Sequence, residues 1–220
     1  MAETMFTLTE PADTYRAILE DFISERYLAT YGATLSQFMP RLFALNSTID
    51  PAQHMLIGAL GVRPATQTLF LERYLDHPIE TMIGKTLGTS VNRHQIVEVG
   101  HFAGAPASIG AKGRADAGTA RAMITLLTAA LFHEGFRWVV FTGTVGLRNA
   151  FSRLKLNPID LGPADPTRLA ENELHQWGSY YEGMPRVQFG NITEGFAALR
   201  YASDSDQPLL TRRCSEMSLS

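Results

Sequence analysis

The chain has a single cysteine, Cys214, in a polar tail, so no internal disulfide can form and no cysteine-built metal centre exists. Its six histidines are scattered, with no His-x-x-x-His or His-Glu-x-x-His spacing, and no metal site is expected. Basic charge is not in excess: 19 Lys and Arg against 22 Asp and Glu give a formal charge of −3. That balance removes the electrostatic case for a nucleic-acid partner. No apolar run approaches the roughly 18 residues that span a bilayer, and the opening "MAETMFTLTEPADT" lacks the basic and apolar regions of a signal peptide. Gly-x-Ser-x-Gly, the elbow of serine hydrolases, does not occur, and Ser108 in "PASIG" has no strand-turn-helix context. These gaps lead us to expect a cytoplasmic protein with no transmembrane segment.

What is present is ordinary globular material, 45% hydrophobic and 19% charged in 220 residues, enough for one sizeable core. Residues 13–32 put Tyr15, Ile18, Leu19, Phe22, Ile23 and Tyr27 on one helical stripe and stop at Gly32. Residues 41–47 and 54–64 read as strands of an antiparallel hairpin. "LFLERYLDHPIETMIGKTLG" is helical but cut by Pro78. "HQIVEVGHF" is a strand, "TARAMITLLTAALFHEG" a helix closing on Gly135, and "FRWVVFTG" a strand buried on both faces. A helix over "TVGLRNAFSRLKL" and an extended "NPIDLGP" follow. The strands over 96–102 and 138–142, joined by a helix, should be parallel. Residues 164–183 read as a polar helix, "PRVQFG" as a strand and "ITEGFAALRYA" as a closing helix. The fold class is α/β, a mixed central sheet with helices on both faces. One domain over residues 1–202 is expected, with 203–220 a disordered polar tail.

The stretch "IVEVGHFAGAPASIGAKGRADAGTARAMITLL" joins a strand to a helix through small residues. Such a loop presents backbone N–H groups and a helix N-terminus to an anion. Ile109, Gly110, Ala111, Lys112, Gly113, Arg114 and Gly118 are the candidate cradle for a pyrophosphate, with Arg121 a further charge. The other reading is an ordinary surface loop, since it matches neither the dinucleotide fingerprint nor the P-loop.

"EVGHFAG", "RYLATYGATLSQFMPRLFALNS" and "GFRWVVFTGTVGLRNAFSRLKLNPIDLGPA" resemble the thermostable hemolysin family. The likeness runs over about residues 15–199 and is most specific in "FMPRLFAL", "LFLERYLD", "IVEVG" and "RWVVFTGT…LRNAFSRL". That family looks like a cousin of the acyl-homoserine-lactone synthases, which have Glu-x-Ser-Arg at the place of Glu98-Val-Gly-His101. The chain departs from the family at His101-Phe102, where Asn-Leu is the pattern, and in the long path from residue 104 to 118. The resemblance implies an N-acetyltransferase-like fold. It also implies acyl transfer to a small amine, with acyl-CoA or acyl-carrier-protein phosphopantetheine as co-substrate and no permanently bound cofactor. A lytic protein, as the family name suggests, and a non-catalytic acyl-CoA-binding protein are the alternatives.

Acyl transfer to an amine needs a base and donors for the thioester oxyanion. Glu98, a carboxylate inside an apolar strand, is the first candidate base; the other reading is a solvated strand residue. Glu72 in "LFLERYLD" is the second, and a plain helix-surface charge is its alternative. His101 sits three residues from Glu98, on the opposite face unless a bulge re-aims it. Thr142 and Asn149 are candidate carrier contacts. His101, Arg148, Trp177 and Tyr181 are candidate substrate contacts, with core packing as the alternative for the aromatics.

Overall fold

The computed structural model describes residues 5–50, 53–105 and 117–205, and their strands pair into one mixed sheet. In chain order the elements are β1 (Met5–Thr9), α1 (Arg16–Tyr31), β2 (Arg41–Asp50), β3 (Gln53–Pro64), α2 (Ile79–Leu87), β4 (Ile96–Gly104) and α3 (Ala117–His133). They continue as β5 (Trp138–Gly143), α4 (Val145–Arg153), β6 (Ile159–Pro163), α5 (Glu171–Gln176), β7 (Arg186–Asn191) and α6 (Ile192–Ser205). The strands lie in the order β1-β2-β3-β4-β5-β7-β6. Among the described residues β4 and β5 run parallel and every other neighbouring pair antiparallel.

Strand alternation sorts side chains onto two faces. On one, Ile96 of β4 and Trp138 and Val140 of β5 pack with Ile79 and Ile83 of α2. The same face of β2 and β3 meets Leu19, Ile23 and Tyr27 of α1. On the other, Val97, Val99, Leu60 and Val62 bury Met123, Leu127 and Leu131 of α3, with Ile192 at the start of α6.

The expected hairpin, the parallel pair and the helix after it are all found. Pro78 does divide its segment: a 3-10 turn covers Leu71–Tyr74, and α2 starts on the residue after the proline. Gly32 ends α1 in the left-handed conformation (φ 67°), its N–H reaching the Leu28 carbonyl.

Two expectations are corrected. Residues 5–9 form an edge strand, β1, which the reading of the opening segment missed; Phe6 and Leu8 supply its inward face. Residues 164–183 are not one helix. They hold a 3-10 turn at Pro166–Arg168, the six-residue α5 and a second 3-10 turn at Tyr180–Gly183. Gly178 breaks the run with φ 52°, and a Cβ there would sit 2.2 Å from the Tyr31 carbonyl oxygen. The segment is tied to the end of α1 by Thr34 N–H to the Gln176 carbonyl (2.7 Å) and Ser179 N–H to the Tyr31 carbonyl (2.8 Å). The proposed tail begins at residue 203, and its residues 206–220 lie outside the described residues. No described helix is long and apolar enough to cross a membrane.

Candidate active site

The parallel ladder of β4 and β5 is short, running from Ile96↔Trp138 to Val99↔Phe141. Beyond it β4 continues beside β3 and β5 beside β7, so the two strands part. Carboxyl ends of parallel strands that part in this way are where α/β sheets form ligand crevices. A cavity of about 540 Å³ occupies the gap and has walls on both faces of the sheet. On the α1 face these include Glu98, Arg63, His101, Phe70 and Trp177; on the α3 face they include Leu127, Leu131, Phe151, Leu156 and Ile192. One end carries the charged Glu98 and Arg63 among aromatic rings, and the other is lined chiefly by leucine, isoleucine and phenylalanine side chains.

Glu98 alternates with Val97 and Val99 and so points to the α1 face, where it is 3% exposed. Its Oε2 accepts the Phe70 N–H and its Oε1 the Leu71 N–H, both at 2.9 Å, at the start of the 3-10 turn. Burial pushes its carboxyl above the ordinary range, against the pull of those two amides and the Arg63 charge. Arg63 is its cross-strand partner on β3, with Nη1 3.8 Å from Oε2. Among the described residues this is a buried carboxyl, held in place and facing a cavity.

His101 joins it through a bulge. Leu60 of β3 stands opposite both His101 and Phe102, and His101 takes φ 51°. The extra residue puts His101 on the face of Glu98, while Phe102 turns towards the α3 side. A regular strand would have separated the two candidates. Left-handed backbone at a residue with a side chain is strained, and such strain clusters at functional sites. The imidazole packs on Tyr27 and Phe38 with ring centroids 6.2 and 5.5 Å away. Burial, with Arg63 and Arg16 nearby, pushes its pKa down to about 4, so it is neutral over most of the working pH range. Its Nδ1 is buried without a hydrogen-bond partner among the described residues, close against Gly61.

Glu72 lies elsewhere. It borders a shallow hollow formed by Leu75, Asp76, Pro78, Glu80 and Arg93. Arg93 Nη1 donates to its Oε1 at 2.6 Å and Nη2 to its Oε2 at 2.9 Å, and the Ile79 N–H donates to Oε1 at 2.9 Å. Partial burial works against its charge, but Arg93 and the backbone N–H groups of Ile79 and Leu69 outweigh it and hold the carboxyl below the usual range. Glu72 anchors the start of α2 rather than facing the cavity.

Thr142 and Trp177 line the cavity. Tyr181 stands behind it, its hydroxyl 2.6 Å from that of Tyr74, which is a wall residue. Asn149 is exposed on α4, outside the lining. Arg148, on the same helix, is also outside the lining; its Nη1 is buried without a hydrogen-bond partner among the described residues. Of the suggested cradle, Ile109, Gly110, Ala111, Lys112, Gly113 and Arg114 lie outside the described residues. Gly118 is in the first turn of α3. Sequence reasoning did not find Arg63, Phe70, Tyr27 or Phe38. The first depends on strand register, and the others look like core aromatics until the gap between β4 and β5 is seen.

A sequence model of the thermostable hemolysin family matches residues 9–196. No curated protein sequence matches the chain. Among solved structures, the AHL synthase LasI superposes with a TM-score of 0.56 at 12% identity, over 97% of this chain and 100% of its own. FeeM, an N-acyl amino acid synthase from uncultured soil microbes, gives 0.57 at 12% identity, over 90% and 95%. BjaI, a CoA-dependent acyl-homoserine lactone synthase solved with SAM and isopentyl-CoA, gives 0.52 at 12% identity, over 90% and 89%. At these identities the likeness is one of fold, and the fold is N-acyltransferase-like.

Proposed function

The chain belongs to the thermostable hemolysin family, and we propose that it transfers an acyl group from a CoA or acyl-carrier-protein thioester to a small amine. The observation that carries this reading is one continuous cavity crossing the sheet, with a buried carboxyl at its polar end and leucine and phenylalanine side chains at the other. The acyl chain lies among Leu127, Leu131 and Phe151, and the amine sits beside Glu98. The amine nitrogen attacks the thioester carbonyl carbon; the C–N bond forms and the C–S bond breaks. Glu98 takes the proton from the nitrogen, and the departing thiolate is protonated to the free thiol. A base with a pKa raised towards the working pH is suited to that transfer. Burial also keeps water from the thioester, which favours the amide over hydrolysis.

The likeness to LasI, FeeM and BjaI supports acyl transfer as the reaction class, because each is named as a synthase of an acylated amine. The test is a turnover assay with acyl-CoA thioesters of graded chain length and a panel of primary amines. Thiol release is followed by absorbance and the amide by mass spectrometry. Amine-dependent thiol release with a matching amide supports the reading. Thioester binding with no amide from any amine, or from any acyl-carrier-protein thioester, would overturn it.

A further inference from the structure

We infer that the amine substrate is an α-amino acid with an apolar or aromatic side chain, its carboxylate held by Arg63 while its amine meets Glu98. This rests on the acyl-transfer reading and narrows its substrate class.

Glu98 and Arg63 are direct partners across β4 and β3 and both line the polar end of the cavity. Their nearest charged atoms are 3.8 Å apart, beyond hydrogen-bond distance, so neither satisfies the other. Glu98 accepts one backbone N–H on each oxygen, and each oxygen keeps a lone pair. Arg63 donates one side-chain hydrogen bond among the described residues, from Nη1 to the Thr68 carbonyl at a long 3.4 Å. Its other N–H groups remain for a ligand, and a guanidinium offers them as a planar fork that matches a carboxylate.

A buried acid and a half-buried base, adjacent but not joined, match a ligand carrying both charges on neighbouring atoms. A zwitterionic amino acid brings its ammonium to the carboxylate and its carboxylate to the guanidinium, leaving the pair neutral overall. A simple alkylamine would leave Arg63 without an anion; a cationic ligand lacking a carboxylate would bring its charge against the guanidinium. Aromatic rings stand beside the pair: Tyr27, Phe38, Phe70 and Trp177 line the same cavity. Phe70 and Trp177 have ring centroids 5.7 Å apart, and Tyr27 and Trp177 6.4 Å apart. An aromatic or aliphatic side chain fills such a box, whereas a charged one would lose its hydration without a partner.

The experiment compares L-phenylalanine with 2-phenylethylamine, the same amine without its carboxylate, as acceptors for one acyl-CoA. Wild-type protein should favour the amino acid by roughly 10- to 100-fold in kcat/KM, the worth of hydrogen bonds to a charged group. Arg63→Gln should bring that ratio close to one, and Arg63→Lys should restore part of it. The ratio cancels the effect of the lost charge on Glu98, which acts on both acceptors alike. Equal use of the two amines by wild type, or a preference that survives Arg63→Gln, would overturn the inference and leave acyl transfer standing. If neither amine is acylated, titration calorimetry of L-phenylalanine against wild type and Arg63→Gln decides it independently of turnover. Binding lost in the variant supports the amino-acid site, and no binding to wild type overturns it.

Discussion

Glu98 and Glu72 make an instructive pair. Both are carboxylates that accept N–H groups from the same stretch of backbone, Glu98 from Phe70 and Leu71, Glu72 from Leu69 and Ile79. Arg93 sits directly on Glu72, whereas Arg63 stands off from Glu98. The former carboxyl is held below the ordinary range and the latter pushed above it. One residue type with similar backbone partners is therefore held in two opposite electrostatic states. The difference lies in which one is desolvated beside a cavity and which one has a cation in contact. A fully paired carboxylate is a structural anchor; an under-paired, buried one can exchange a proton.

The largest expected effect comes from Glu98→Gln. Loss of a general base costs roughly 10²- to 10⁴-fold in turnover. The amide also sets a donor against one of the two N–H groups it inherits, destabilising the fold by about 1–3 kcal/mol. Steady-state rates should be paired with a melt, and with acyl-CoA binding measured directly to show that the donor site survives. A purely structural Glu98 would move the melt and leave the pH–rate profile in place. A catalytic one takes with it the acid limb, in which wild-type activity rises with pH through a pKa above 4.5. Undiminished turnover in a folded variant would sink the base assignment.

Glu72→Ala should do the reverse, costing about 1–2 kcal/mol, as the loss of a capping side chain does, with turnover little changed. The two carboxyls also give stability opposite signs of pH dependence. Because the folded pKa of Glu72 is lowered, its contribution is present above 4.5 and fades as pH falls through its folded pKa. Because that of Glu98 is raised, its contribution is complete below 4.5 and is lost as pH rises through its folded pKa. Urea melts of wild type, Glu98→Gln and Glu72→Ala across that range would reveal the two trends, and parallel trends would break the comparison.

The smallest effect is expected from His101→Asn. Asparagine tolerates the positive φ better than most residues, so stability should stay within about 1 kcal/mol of wild type. With its pKa near 4 the imidazole is already neutral near pH 7, so the acid limb should remain. Disappearance of that limb in His101→Asn would transfer the titration from Glu98 to His101.

Most elements were legible in the amino-acid order because their signals are local. The α1 stripe stops at Gly32, Pro78 cuts its segment, and "IVEVG" and "WVVFTG" read as strands from β-branched and aromatic runs. Glu98 was also legible, since a charge within an apolar strand is visible without coordinates. β1 escaped notice because a five-residue edge strand has too little periodicity to distinguish, and residues 164–183 misled because their polarity suits either a helix or a chain of turns. The rest was decided in three dimensions. Register placed Arg63 opposite Glu98, a bulge opposite Leu60 swung His101 onto the same face, and the parting of β4 from β5 opened the cavity between them. Glu72 was separated from that cavity by the ion pair with Arg93, a contact between residues 21 apart in sequence. Hydrophobic period and turn chemistry act over a few neighbouring residues and can be read along the chain. Pairing register, desolvation and cavity shape are set by residues distant in sequence, and they exist only once the sheet has formed.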